Sequence, residues 1–367
     1  MLDSPRHPQP SQVIVDIAPT INALHSLSSI ADARDSPGIG SWAAETREKL
    51  SEEEWENHLI LMKWIGAEAL INILPGEEPR SSFPAYLHAL SAIPPEVLRD
   101  ELFNWMTSRE SARLNFKIHP AVTNPRQLLE SREAFLDAYT KPEKPPEENQ
   151  TAIRVFDLLS DPPALKDLVL NHLTLIWETH LKEEWDRRLP ELEEAVEGYK
   201  QINVSGMSHF EVIEAITRRN VRGVFRPEVL QEIDVLRFIP SPHSGPYILK
   251  TGDGEELQIT FGAYQLGERV RGIGALEGTQ VVDRLKALGD ETRLEILRAL
   301  KAEGELRTQE IIDRFALSKS AASRHMRQLV ATGIVDVRTD EDGLSKFYRL
   351  NQAFVGQFQE MLGKLLG

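Results

Sequence analysis

The chain has 367 residues, 41% of them hydrophobic, and this length favours two domains over a single core. It has no cysteine, which excludes disulfide bonds, thiolate metal ligands and cysteine nucleophiles. The net charge of −15 comes from residues 1–280, which carry 28 Lys/Arg against 44 Asp/Glu, whereas residues 281–350 carry 13 against 12. An acidic body disfavours non-specific contact with phosphate, so any nucleic-acid binding would have to come from a small local patch.

Residues 11–266 are expected to form a mainly helical domain that follows a disordered start at residues 1–10. That start is polar and proline-rich, and it lacks the apolar stretch of a signal peptide. The most apolar run, Leu59 to Leu74, is interrupted by Lys63 and Glu68 and is too short to span a bilayer. We therefore expect a cytoplasmic protein that makes no membrane contact.

Helical patterns extend from Thr20 to about Tyr139. Ser51 followed by Glu54 has the spacing of a capping box, which predicts a buried helix from there to Leu74. A proline and charge cluster at residues 141–150 predicts a surface connection. A second long helix is predicted from about Pro162, because its apolar residues keep a three-and-four spacing: Leu165, Leu168, Val169, Leu173, Ile176, Trp177, Leu181 and Trp185.

The pattern changes to short β-type runs between residues 234 and 263. The runs 235–239, 247–250 and 257–261 are separated by turn sequences, which predicts a small antiparallel sheet attached to the helical body. Four glycines between residues 267 and 278 then predict a linker over 267–280. The fold class is therefore mainly α with a small β element, in front of a C-terminal domain at residues 281–367.

The second long helix also carries the candidate effector site of the N-terminal domain. His172 and His180 lie on its apolar side with Ile176 and Trp177, and these four residues could bind an organic effector or a metal. The alternative, which the pattern favours, is that both histidines are core residues satisfied by the backbone. No nucleophile elbow, Walker loop or HExxH spacing occurs, so we expect no enzyme, no cofactor and no metal.

Residues 281–350 follow the order of a winged helix-turn-helix. A short amphipathic helix begins at Val281, and a second helix follows Asp290. A third helix from Thr308 and a fourth from Lys319 are separated by a three-residue turn. Two strands, at residues 334–338 and 344–350, complete the wing.

The fourth helix has two faces that suit the reading of DNA. Ala322, Met326, Leu329 and Val330 form a buried stripe, and small or basic residues lie opposite. From Arg314 to Val335 there are four Lys/Arg and no Asp or Glu. The predicted DNA-binding residues, in this helix, the turn, the third helix and the wing, are Thr308, Ser318, Lys319, Ser320, Ser323, Arg324, His325, Arg327, Arg338 and Lys346.

The sequences LKALGDETRLEILRAL (285–300) and LSKSAASRHMRQL (317–329) resemble those of ArsR/SmtB-type transcription regulators. The resemblance covers roughly the last 85 residues of the chain. It implies a homodimer that binds an imperfect inverted repeat of double-stranded DNA and usually represses. It also implies dimer contacts from the first and last helices of the domain, for which the candidates are Val281, Val282, Leu285, Phe354, Phe358, Met361, Leu362 and Leu365.

Two departures from the family pattern bear on the signal that is sensed. The family's Cys-x-Cys metal ligands align with Arg307 and Gln309, and no histidine follows His325, so metal sensing by the family ligands is not expected. The long N-terminal domain would instead sense a non-metal small molecule or a protein partner. Three alternatives stay open: the last helix packs on the N-terminal domain, the winged helix is a protein-interaction scaffold that no longer binds DNA, or the chain is a DNA-tethered enzyme.

Overall fold

The computed structural model describes residues 9–33, 36, 38–39, 41–74, 76, 80–108, 126–139, 146–219, 221, 224–225, 227–252, 255–263, 269–270, 273–339 and 345–366. The predicted disordered start therefore lies almost wholly outside the described residues. The chain divides into a helical unit, residues 18–32 and 41–188, and a C-terminal unit, residues 1–17, 33–40 and 189–367. No helix among the described residues is both long enough and apolar enough to cross a membrane.

Over its described residues, the helical unit is built from a series of helices. In chain order they are α1 (Pro19–Asp32), α2 (Ser41–Lys49), α3 (Glu52–Leu59), a π-helical segment (Ile60–Gly66), α4 (Ala67–Asn72), α5 (Phe83–Ala92), α6 (Pro95–Thr107), α7 (Arg126–Glu130), α8 (Arg132–Tyr139), α9 (Pro146–Ser160), α10 (Pro162–Ile176), a second π-helical segment (Trp177–Leu181) and α11 (Lys182–Lys200), which from Leu189 onward belongs to the C-terminal unit. Helix α9 begins inside the segment that was expected to be a surface connection.

The capping box predicted from Ser51 and Glu54 is present. The Ser51 hydroxyl accepts from the backbone N–H of Glu54, whose carboxylate accepts from the backbone N–H of Ser51 at 2.8 Å. The helix that follows is buried as expected, with Ile60 and Leu61 fully enclosed, but it is not one regular α-helix. It widens into π geometry at Ile60 and resumes as α-helix at Ala67.

A four-stranded sheet lies in the C-terminal unit. Its strands are β1 (Gln12–Val15), β2 (Val235–Ser241), β3 (Ile248–Gly252) and β4 (Glu256–Gly262), in the order β1-β2-β4-β3. Strands β3 and β4 form an antiparallel hairpin, but β2 runs parallel to both β1 and β4. The mainly helical fold class is confirmed. The prediction of an antiparallel sheet is wrong, because β2 pairs in parallel with β4 rather than with the next strand along the chain, and β1, a strand from near the N-terminus, pairs in parallel with β2.

Two helices, α12 (His209–Thr217) and α13 (Pro227–Leu230), precede β2 in the chain, and a short strand pair, β5 (Arg269–Val270) and β6 (Ile273–Gly274), follows β4. Helix α14 (Ala275–Leu288) begins directly after β6. The predicted linker over 267–280 therefore ends earlier than expected. Its last residues continue the amphipathic helix, which tolerates one internal glycine at Gly278.

The winged helix-turn-helix is formed as predicted. After α14 come α15 (Glu291–Glu303), β7 (Glu305–Arg307), α16 (Thr308–Arg314), α17 (Lys319–Ala331), β8 (Val335–Thr339), β9 (Lys346–Leu350) and α18 (Phe354–Leu366). Strands β8 and β9 form the antiparallel wing, and β7 adds a third strand to β9 that was not predicted. Residues 340–344, which lie between β8 and β9, are outside the described part of the chain.

Candidate nucleic-acid interface

Helix α17 presents two chemically different sides. Its first turn is capped by Ser318, whose hydroxyl accepts from the backbone N–H of Ala321 at 3.1 Å. Ala322, Met326 and Leu329 are buried in the core of the winged helix, which fixes the rotation of α17 about its axis. The opposite side, which we call the DNA face, is exposed and consists of Lys319, Ser320, Ser323 and Arg327.

The DNA face combines cationic and small hydroxyl side chains at the N-terminal part of a helix. Free N–H groups and the helix dipole favour an anion there, and Lys and Arg bind phosphate oxygens or guanine edges. Serine side chains are short enough to let the backbone of α17 approach the floor of a major groove. The arrangement can therefore bind a duplex by charge and by hydrogen bonding.

His325 lies in a different place from that expected of a DNA-binding residue. It is buried, and its Nδ1 lies 3.7 Å from Oδ1 of Asp290, the N-cap residue of α15. Burial lowers the pKa of His325, and the Asp290 carboxylate opposes that shift. The sequence contains the signal for this position, since His325 lies three residues after Ala322 and four before Leu329, both in the buried stripe.

The predicted contacts outside α17 are distributed over the third helix and the wing. Thr308 is half-buried and shares a side-chain hydrogen bond with Tyr348 of β9. Arg338 is exposed, lies over the ring of Phe347 at 4.0 Å, and donates from Nε to Oε1 of Glu305 at 2.8 Å. Lys346 is exposed at the start of β9. On the wing, DNA would compete with the Glu305 carboxylate for Arg338.

Sequence reasoning missed a buried arginine that joins α14 to α15. Arg293 donates from Nη2 to the backbone carbonyl of Lys286 at 3.0 Å and from Nε to that of Ala287. These carbonyls lie in the last turn of α14 and would otherwise have no helical partner. Its position three residues after the capping residue Asp290 is a local signal, but nothing in the sequence shows that its side chain turns back toward α14.

Two comparisons place this geometry among known proteins. A family model described as a helix-turn-helix domain matches residues 288–338. The transcriptional activator HlyU of Vibrio cholerae serotype O1 is 37% identical to the chain over 81 residues, which cover 22% of this chain and 72% of HlyU. The C-terminal part of the chain belongs to the ArsR/SmtB-type regulators. No solved structure gives a significant match.

As an ArsR/SmtB-type regulator, the chain is a DNA-binding transcription regulator with a helical region in front of its winged helix. The matched segment includes α15, α16 and α17 with the first part of the wing, and therefore the whole DNA face. Within the described residues, no group of three or more His, Asp or Glu residues is arranged to hold a metal ion.

The predicted dimer residues of this ArsR/SmtB-type regulator have different environments. Val282 and Leu285 on α14 are 45% and 44% exposed, and both belong to the small set of large apolar side chains that are exposed in the described part of the chain. On α18, Phe354 is instead buried in the core of its own winged helix and stacks on Phe358 at 5.3 Å. Phe358 and Leu362 are half-buried. The side chains of Val281, Met361 and Leu365 lie outside the described residues.

The four candidate effector residues in the helical unit also have different environments. His172 is buried, and its Nε2 lies 3.0 Å from Nδ1 of His58, whose Nε2 lies 2.9 Å from the backbone carbonyl of Leu27. Ile176 and Trp177 are buried, whereas His180 is half-buried. Burial lowers the pKa of His58 to about 3 and that of His172 to about 4, so both rings are neutral near pH 7.

Proposed function

We propose that this regulator acts as a homodimer that binds an imperfect inverted repeat and represses transcription by occupying it. The observation that carries the proposal is the exposed basic and hydroxyl side of α17 opposite its buried stripe. The chain has a net charge of −15, but the segment from Arg314 to Val335, which contains α17, has no acidic residue. This segment therefore offers a local site for phosphate groups and base edges.

The dimer part of the proposal is supported by α14. Val282 and Leu285 are one turn apart, so they form one apolar patch on the surface of the winged helix. An exposed patch of this kind is a common feature of association surfaces. A twofold dimer would place two copies of α17 against half-sites about one helical turn apart.

DNA binding is tested by selecting duplexes from a random pool with the full chain and measuring affinity by fluorescence anisotropy at several salt concentrations. We expect Lys319→Glu and Arg327→Glu each to weaken binding. Each variant should also reduce the slope of the logarithm of the binding constant against the logarithm of the salt concentration by about one unit for each phosphate that it no longer binds. The control is Lys200→Glu, which makes the same charge change at an exposed residue outside the winged helix. Salt-independent or absent binding by the wild-type chain would refute the proposal.

The sign of regulation is tested with a reporter whose promoter contains the selected site. Occupancy of the site alone can block transcription, so repression requires no further contact surface. The relative HlyU is named an activator, and a rise in reporter output on expression of this chain would overturn the repressor part of the proposal while leaving DNA binding intact.

Effector sensing is proposed for the helical unit, and the effector is taken to be a non-metal small molecule or a protein partner. Trp177 supports a polar ligand there, because its side chain is buried and its Nε1 has no hydrogen-bond partner among the described residues. All six tryptophans lie in this unit, so ligand binding should change the tryptophan emission. A metabolite screen that scores both release of the selected duplex and emission tests this part, and Trp177→Phe should weaken the response to a true effector.

A further inference from the structure

Side chains on two successive turns of helix α14 lie in three different environments. Val282 and Leu285 are exposed, and Ala287 is buried in the core of the winged helix. Asp283 is also buried, although it is a carboxylate. A buried acidic residue at the edge of an exposed apolar patch needs a partner, because burial of an isolated charge is strongly unfavourable.

The partner of Asp283 is Arg219, which lies in the chain between α12 and β2 of the four-stranded sheet; because this sheet has parallel and antiparallel pairs, we call it the mixed sheet. Oδ2 of Asp283 lies 3.9 Å from Nη2 of Arg219, and each side chain is less than a tenth exposed. Burial lowers the pKa of Arg219 to about 10 and raises that of Asp283, and each charge opposes the shift of the other. The two side chains therefore face each other in a place that water hardly reaches.

The backbone around this pair is closely packed. A Cβ atom added to Gly38 would lie 3.6 Å from Oδ1 of Asp283 and 2.9 Å from the ring of Pro246. A Cβ atom added to Gly245 would lie 2.3 Å from the carbonyl oxygen of Gly38. Asp283 therefore lies beside a tight contact between Gly38 and the loop that joins β2 to β3, and this contact restricts the space into which α14 could move.

Arg219 is also connected to the core of the mixed sheet. Tyr199 lies close enough to Arg219 for the two to influence each other's pKa. The Tyr199 ring packs edge-on against Phe261 of β4 at 5.2 Å, and Phe261 packs against Phe238 of β2 at 6.3 Å. A displacement in the sheet would thus reach Asp283 through neighbouring side chains.

We propose that Arg219 and Asp283 are positioning residues that fix the winged helix on the mixed sheet and thereby set the spacing of the two DNA faces in the dimer. The inference rests on the proposed dimeric DNA-binding function. The pair acts through α14, because this helix contains the exposed apolar patch and also packs through Ala287 against the core of the winged helix. Asp283 Oδ2 has no hydrogen-bond partner among the described residues, and a buried pair of this geometry gives little net stability, so its contribution is to the specificity of docking.

Spacing matters for a duplex with two half-sites and not for a duplex with one. A dimer gains the second half-site only when both DNA faces reach successive major grooves on one side of the helix. Loosening the Arg219–Asp283 contact should therefore weaken two-site binding selectively, because the residues of the DNA face themselves are unchanged.

The test compares Arg219→Gln, Asp283→Asn, the double variant and Arg219→Lys with the wild-type chain. Affinity is measured for the selected duplex with both half-sites and for the same duplex with one half-site scrambled. We expect either single neutralisation to weaken two-site binding about tenfold, within the usual range of coupling between sites, and to change one-site binding by less than about twofold. Arg219→Lys should bind like the wild-type chain, and the double variant should be no weaker than either single variant.

Lys200→Gln is the control, because it removes one exposed positive charge from the same unit. Thermal unfolding of each variant identifies any that fail to fold, and Asp283→Asn, which keeps the side-chain shape, is the mildest of the set. Two-site binding like that of the wild-type chain, or an equal loss on both duplexes, would overturn the inference alone. Failure of the wild-type chain to bind any selected duplex would refute the proposed function with it.

Discussion

Acid should destabilise the helical unit before its carboxylates protonate, because three of its histidines are buried as neutral rings. Burial lowers the pKa of His25 and of His58 to about 3 and that of His172 to about 4, against an ordinary value of 6.5. The folded unit therefore binds fewer protons than the unfolded chain below pH 6.5. The stability that the neutral rings contribute is complete well above pH 6.5 and is lost as the pH falls through 6.5 toward 4 for His172 and toward 3 for His25 and His58.

The size of the effect follows from these pKa values. Each such histidine makes the free energy of unfolding fall by about 1.4 kcal/mol per pH unit within this window. From pH 7.5 to pH 5, three histidines together remove about 6 kcal/mol, which is comparable with the whole stability of a typical domain. The unit should therefore be close to unfolding at pH 5.

The assay is urea unfolding at several pH values, followed by tryptophan emission, which reports on the helical unit. His172→Gln can still donate a hydrogen bond to His58 but does not titrate, so it should reduce the loss between pH 7.5 and pH 5 by about a third, or about 2 kcal/mol. His88→Gln, at an exposed histidine, should leave the loss unchanged. Equal losses in the wild-type chain and His172→Gln would refute the reasoning, as would a wild-type stability that stays constant down to pH 5.

Three further predictions concern the C-terminal unit. Glu305→Gln removes the carboxylate that holds Arg338, so DNA affinity measured by anisotropy should rise a few-fold, and unchanged or weaker binding would argue against a wing contact by Arg338. Leu285→Glu places a charge on the apolar patch, so sedimentation should detect a monomer that melts like the wild-type chain, whereas an unchanged dimer mass would place the dimer interface elsewhere. Gly245→Ala would put a Cβ atom 2.3 Å from a backbone carbonyl and should lower the stability of this unit by more than 2 kcal/mol, on the order of a severe steric substitution. In the same circular-dichroism melts, Gly206→Ala, with similar backbone geometry and nothing within 4 Å, should lower it by about 1 kcal/mol, and equal losses would contradict the steric argument.

The parts of the fold that sequence reasoning found are those encoded by local patterns. The Ser51 capping box, the Asp290 cap and the buried stripe of α17 each depend on residues within one or two turns, and all are present. The pairing of β1 with β2 was missed because its two strands are more than two hundred residues apart. The π-helical segment at Ile60 was also missed, since it depends on packing rather than on composition.

The candidate site was predictable to a similar extent. Periodicity places Lys319 and Arg327 correctly on the exposed side of α17, but His325 was predicted as a DNA-binding residue although it is buried. Periodicity did not find the Arg219–Asp283 contact, because nothing local joins a residue after α12 to the first helix of the winged helix. Ion pairs between distant segments are decided by tertiary packing, which a single sequence does not display.

The parallel pairing of β1 with β2 makes the order of synthesis important for folding. Gln12 emerges from the ribosome long before its partner Val235, and the residues of the helical unit lie between them in the chain. Nascent domains generally fold as units as they emerge, so the helical unit can form before β2, the pairing partner of β1, has been synthesised. The last step of assembly is then the closure of a very long loop, and chains that lack the first fifteen residues should keep the helical unit but lose an edge strand of the sheet that contacts the winged helix.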